Sequence, residues 1–122
     1  MKLLNDLFAI VSGGDTDHIQ VRLNAGHLIY QAHFPGYPVT PGVCQVQMVG
    51  ELLGQRLGGR WSLSRIVNLK FVATLSPTDH PLAEVVWSSV VRSADTCHVK
   101  GHISADGAVC TKFSLVFSNE NV

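Results

Sequence analysis

The stretch from Thr40 to Gly59 most constrains the fold, because it reads as one long helix that is apolar on every side. Thr40 is a good N-cap residue, and Pro41 suits the first helical position, where its missing N–H costs nothing. Gly58 and Gly59 supply the stop signal. Between these ends, over about 41–57, Val43, Val46, Gly50, Leu53 and Leu57 form one apolar stripe, while Met48, Val49 and Leu52 are apolar on the other sides. A helix of that character, roughly 17 residues or ~25 Å long, has no face to offer water and must be enclosed by the rest of the fold. A sheet wrapped around it is the expected solution.

The remaining sequence supplies such a sheet. His18 to Leu23 alternates strictly and puts Ile19, Val21 and Leu23 on one face. A second extended stretch is expected from His27 to Phe34, ahead of a loop punctuated by Pro35, Pro38 and Pro41. After the helix, Val67, Leu69 and Phe71 alternate with Asn68 and Lys70, and Leu82 to Val91 is rich in valine. Val99–Ser104 and Ala108–Phe117 flank Asp106-Gly107, a strong two-residue hairpin signal. One long early helix followed by a run of antiparallel strands is an α+β pattern. With 122 residues and neither linker nor repeat, a single domain over 1–122 is expected.

Charge and hydropathy exclude several function classes. Nine cationic residues balance nine acidic ones, whereas a general nucleic-acid or membrane-surface binder normally carries a basic excess. No stretch reaches the ~18 apolar residues of a membrane span. Asn5 and Asp6 interrupt the apolar run at the N-terminus, which favours a first helix or turn packed on the body over a signal peptide. Cys44, Cys97 and Cys110 are odd in number and form no CxxC pair, as expected of reduced thiols in a cytoplasmic protein. His98 and His102 share a strand face and His27 precedes the loop, but no third ligand stands at convincing spacing, so no metal is expected. Cys44 falls in the first helical turn, where a thiol can be activated, although a small buried hydrophobe is the commoner role.

Chemistry is concentrated in His33-Phe34-Pro35-Gly36-Tyr37-Pro38-Val39-Thr40-Pro41-Gly42-Val43. Prolines at every third position stiffen the backbone and so fix where His33 points. The first helical N–H groups, including that of Gly42, lack intrahelical partners and have the helix dipole behind them. Such donors suit a carbonyl oxygen that gains negative charge, and glycine leaves room for a ligand's approach. A base titrating near neutrality beside them could take a proton from the carbon next to a thioester carbonyl. On these residues alone, a structural histidine in a rigid loop is the simpler reading.

The same segment closely resembles the signature of the 3-hydroxyacyl-acyl-carrier-protein dehydratase family: His-Phe-Pro, a short step, Pro-Val, one residue, Pro-Gly-Val, then a central helix. The likeness continues through Ile66-Val67-Asn68-Leu69-Lys70-Phe71 and Leu75-Ser76-Pro77-Thr78-Asp79. It implies a hotdog fold, with an antiparallel sheet around the long helix, and a homodimer or higher oligomer whose active sites draw on both subunits. It implies an enzyme that dehydrates 3-hydroxyacyl thioesters, linked to acyl carrier protein, to trans-2-enoyl thioesters. His33 matches the catalytic histidine and Gly42 the amide that polarises the thioester carbonyl. Phe34, Pro41 and Val43 are expected to contact substrate. No cofactor is expected, since the thioester itself acidifies the α-carbon.

The resemblance breaks where the family places its partner acid, for this chain has Gln47 there. An amide has no proton to give, though it can orient a hydroxyl or water. His33 can then serve as sole proton shuttle with Gln47 positioning the 3-hydroxyl. Alternatively, the chain is an acyl thioesterase, or a non-catalytic subunit that binds acyl groups or acyl carrier protein. Glu51 follows one turn later and leans back toward Gln47. It either reaches the site as an accessory acid or sits deeper with structural partners, the commoner fate of buried carboxylates. Arg56, Arg60, Arg65 and Lys70 make 52–78 uniformly positive. They either dock an acidic carrier protein or complement the helix terminus and solvate the next strand.

Overall fold

The computed structural model describes residues 2–120. Its elements run β1 (Phe8–Ser12), β2 (His18–Leu23), α1 (Ile29–Ala32), α2 (Gly42–Leu57), β3 (Trp61–Phe71), β4 (Leu82–Ser93), β5 (Thr96–Ala105) and β6 (Ala108–Asn119). The six strands form one antiparallel sheet in the order β1-β2-β4-β5-β6-β3. Alternation decides which side chains meet α2. Ile19, Val21, Val85, Val99, Ile103, Leu115 and Phe117 are buried and form one core with Met48, Val49, Leu52 and Leu53 of the helix. This is the hotdog arrangement, a sheet wrapped on one long helix.

Close approach of helix and sheet depends on Gly50. A Cβ there would lie 2.7 Å from a Phe117 ring carbon, so any larger residue would push α2 off β6. At the far end, Gly58 takes φ +79° and its N–H bonds to the Gly54 carbonyl at 2.8 Å, ending the helix as expected. The β5–β6 turn has Asp106 at φ +52° and Gly107 at φ +76°. Left-handed backbone at both central residues matches the twist of the flanking strands.

Three expectations are corrected. His27–Phe34 is not an extended strand: Ile29–Ala32 forms one helical turn, started where the Ile29 N–H bonds to His27 Nδ1 at 3.1 Å. The expected N-cap role of Thr40 is also wrong. Pro41 occupies that position without a side-chain cap, and the Thr40 hydroxyl instead meets Tyr30 Oη at 2.9 Å. Finally, the helix is not enclosed all round, since Val43 is 76% exposed. The N-terminal segment is a turn followed by β1, with Leu3, Leu7 and Phe8 buried.

One edge of the sheet is unfinished. β3, 11 residues long, pairs only with β6. Leu63, Ile66 and Phe71 stand opposite the inward-facing Phe117, Leu115 and Thr111, yet they remain 39%, 51% and 51% exposed.

Candidate active site

His33 ends α1 and is held by its backbone on both sides. Its N–H donates to the Ile29 carbonyl (3.0 Å), and its carbonyl accepts from Val39 N–H (2.8 Å). The ring stacks on Phe34 with centroids 4.1 Å apart. Phe34 and Tyr37 close the following turn through reciprocal backbone bonds of 3.2 and 3.1 Å, with Gly36 at φ +85°. The Tyr37 hydroxyl then ties this loop to Asp79 at 2.9 Å. His33 is thus presented from a loop fixed at several points.

The start of α2 is positioned by a buried polar network that sequence reasoning missed. Thr40 N–H donates to the Leu75 carbonyl at 2.8 Å. Its own carbonyl accepts from Gln45 Nε2 at 3.1 Å. The Gln45 side-chain oxygen, Oε1, in turn accepts from the Thr111 hydroxyl, so the helix N-terminus is bolted to β6. Burial raises the Tyr30 pKa, partly offset by its bond to Thr40, and keeps that hydroxyl a neutral member of the network. Residues 40, 45 and 111 are too far apart in sequence for periodicity to pair them.

The first intrahelical bond runs from Gln45 N–H to the Pro41 carbonyl at 3.0 Å, which leaves the amides of Gly42, Val43 and Cys44 ahead of it. The expectation that Gly42 leaves room for a ligand is corrected by Phe71. A Cβ on Gly42 would lie 2.5 Å from the ring's Cζ, so the space is filled by this half-exposed phenyl group. Cys44 is buried, and that burial pushes its thiol up; it is not an activated nucleophile.

A cleft of about 640 Å³ runs along α2, with Val43, Val46, Gln47, Gly50 and Glu51 on its helical wall and Phe117 from the sheet. Gln47 Nε2 donates to Glu51 Oε2 at 2.9 Å. The Glu51 carboxylate also accepts from Leu3 N–H (2.8 and 3.0 Å to its two oxygens) and Leu4 N–H (2.7 Å). Four contacts occupy the roughly four lone-pair positions of a carboxylate. Glu51 therefore anchors the N-terminal turn and holds the Gln47 amide nitrogen.

The sequence-predicted residues separate into groups. Val43, Gln47 and Glu51 share the cleft with Arg60, whereas His33, Phe34, Pro41 and Gly42 are not among its described lining residues. Arg56 is paired with Asp17 and Arg60 with Glu120 at 3.8 Å. Arg65 and Lys70 stand exposed on β3. His98 Nε2 is bonded to Ser114 Oγ at 2.7 Å. Among the described residues, no helix is long and apolar enough to cross a membrane.

Comparison with known proteins places this geometry. Residues 10–110 match the ApeI-like family model, described as ApeI dehydratase. The chain is 30% identical to the 3-hydroxyacyl-[acyl-carrier-protein] dehydratase FabZ of Bacillus subtilis (strain 168), over 95% of this chain and 86% of that protein. Among solved structures it resembles the dehydratase heterocomplex ApeI:P from Xenorhabdus doucetiae, with TM-score 0.61, 23% identity and coverage of 84% and 86% of the two chains. It also resembles a hypothetical thioesterase protein with coenzyme A from Streptococcus pneumoniae TIGR4, with TM-score 0.63, 14% identity and coverage of 92% and 84%. These two structural likenesses carry the fold alone.

Proposed function

The chain belongs to the ApeI-like dehydratase family, and from that premise we propose that it removes water from 3-hydroxyacyl thioesters carried on acyl carrier protein, giving trans-2-enoyl thioesters for fatty-acid or related lipid or polyketide-type synthesis. The observation that carries this reading is Gln47, which stands on the cleft wall with its amide nitrogen engaged by Glu51. From this position on the cleft wall the Gln47 side chain orients the substrate's 3-hydroxyl.

His33 acts as the single proton shuttle. Its imidazole takes the α-proton while the amide of Gly42 stabilises the charge that builds on the thioester oxygen. The electron pair of the broken C–H bond forms the α,β double bond as the C–O bond to the 3-hydroxyl breaks. The imidazolium returns the same proton to the departing oxygen, so water leaves and His33 is neutral again. Phe34, Pro41 and Val43 contact the acyl thioester. No cofactor enters the step.

Since His33 lies away from its own chain's cleft, the functional unit is a homodimer in which His33 of the partner subunit faces Gln47. The exposed inward residues Leu63, Ile66 and Phe71 on the unpaired β3 edge support this, because such an edge is a template for pairing with another chain. Carrier docking falls to Arg65 and Lys70; Arg56 and Arg60 are occupied by acids.

One assay tests the reaction class. Purified protein is given 3-hydroxyacyl and saturated acyl thioesters, with His33→Ala as control. Enoyl formation that disappears in the variant is expected. Free thiol released from the saturated thioester would establish a thioesterase instead, and carrier binding without turnover of either would establish a non-catalytic subunit.

A further inference from the structure

His27 takes no part in the cleft chemistry, yet both of its ring nitrogens are engaged. Nδ1 accepts the Ile29 N–H at 3.1 Å, and Nε2 lies 3.1 Å from Asp6 Oδ2. The first of these bonds decides which nitrogen carries the proton. A backbone N–H can only donate, so Nδ1 presents its lone pair and the proton of the neutral ring sits on Nε2, facing the Asp6 carboxylate. A second proton, on Nδ1, would set two donors face to face. The Asp6 side chain is 58% exposed, so an ion pair with so well solvated a carboxylate would return little for the lost bond.

What the Nδ1 lone pair holds is the start of α1. Four residues make a single turn, too short to persist by its own hydrogen bonds, and its N-cap, Leu28, supplies no side-chain bond. The Ile29 N–H is one of the donors that a helix start leaves without an intrahelical partner. Leu3, Leu7, Leu28 and Ala32 line the same hollow as His27, and none of their side chains could accept that N–H in its place. The other side of Ile29 leads to the base, because its carbonyl accepts the His33 N–H at 3.0 Å. Among the described residues, no hydrogen bond holds the His33 ring itself. Its place is set by the backbone at its root and by stacking on Phe34.

The Asp6 end is fixed as well. Glu51 accepts the N–H groups of Leu3 and Leu4, the Leu7 N–H bonds to the Leu3 carbonyl at 2.8 Å, and Asn24 Nδ2 donates to the Asp6 carbonyl at 2.9 Å. The imidazole of His27 therefore bridges an anchored turn and the helical turn that ends on His33.

We propose that His27 is a positioning residue: as a neutral ring protonated on Nε2, it fixes α1 and thereby the place from which His33 acts. The proposal rests on the reading of His33 as the base.

Two substitutions each keep one half of the ring's function. In His27→Asn, Oδ1 falls where Nδ1 stood and can accept the N–H two residues on, as in an Asx-turn. In His27→Gln, the amide reaches the Nε2 position near Asp6 but leaves the Ile29 N–H unmet. With a 3-hydroxyacyl thioester, His27→Ala and His27→Gln should lose at least about tenfold in kcat with KM within about twofold, since a displacement of ~1 Å can cost ~10²-fold. His27→Asn should stay within about threefold of the parent. Nitrogen–proton correlation spectra of the whole protein should place the His27 proton on Nε2. The His33 ring signals should keep their parental shifts in His27→Asn and move in the other two variants. If His27→Ala does not fold, the contrast between asparagine and glutamine decides. Parental kcat in His27→Ala, recovery in His27→Gln, a loss in His27→Asn equal to that in His27→Gln, or a neutral His27 protonated on Nδ1 would overturn the proposal. A parent that forms no enoyl product would count against the dehydratase reading, and the ring spectra, which need no turnover, would still decide the role of His27.

Discussion

Replacing Glu51 by alanine separates a structural anchor from a catalytic acid. The carboxylate accepts two backbone N–H groups, those of Leu3 and Leu4, and the Gln47 amide. Hydrogen bonds to a charged group are worth ~1.5–3 kcal/mol each. Glu51 is half-buried and the contacts share one carboxylate, so the sum is discounted to a loss of about 3 kcal/mol. Leu3 and Leu7 are buried beneath this turn, and their partial release is included in that figure. For a domain of this size the loss corresponds to a Tm roughly 10 °C lower. Thermal unfolding followed by circular dichroism measures it, with turnover assayed well below both transitions. A Tm within 2 °C of the parent, together with a rate loss of ~10²–10⁴ typical of a missing general acid, would refute the anchoring role.

Gly101→Ala should unfold the domain at ordinary temperature or cost more than about 3 kcal/mol, because its Cβ would lie 2.0 Å from the Val86 carbonyl oxygen; urea denaturation reads this directly. Gly42→Ala should cost only about 1 kcal/mol, since the obstacle is the tip of the half-exposed Phe71 side chain. Combining it with Phe71→Leu should recover stability, measured on a double-mutant cycle. Burial raises the thiol pKa of Cys44, Cys97 and Cys110 above the ordinary value of 9.0. Their contribution to stability is therefore fully present below about pH 9 and lost as pH rises through the folded values. Denaturant midpoints should fall across that alkaline range and fall less in the Cys97→Ala background.

Much of the fold was legible because it is written in local periodicity. The alternation of Ile19, Val21 and Leu23 gave β2 its bounds, and Asp106-Gly107 located the β5–β6 turn. The central helix was expected within one residue of its observed start. What failed was decided by contacts distant in sequence. Tyr30 is drawn into a helical turn because its hydroxyl reaches buried Thr40, and that same bond takes Thr40 away from capping. Glu51 finds partners 47 and 48 residues away in the backbone of the N-terminal turn, and a backbone amide leaves no trace in sequence. Phe71 over Gly42 is likewise invisible until β3 is placed beside α2.

The identity of the proton carrier is decided by the rate of enoyl-thioester formation in Gln47→Glu and His33→Ala. A new carboxyl at position 47 would face the Glu51 carboxylate, and two such groups in contact share a proton, raising one pKa. A proton donor would then stand beside the 3-hydroxyl. With His33 as the sole shuttle in the natural chain, Gln47→Glu should speed dehydration by about tenfold or more, while His33→Ala should abolish it. Unchanged dehydration in His33→Ala would contradict the assignment of His33 as the base.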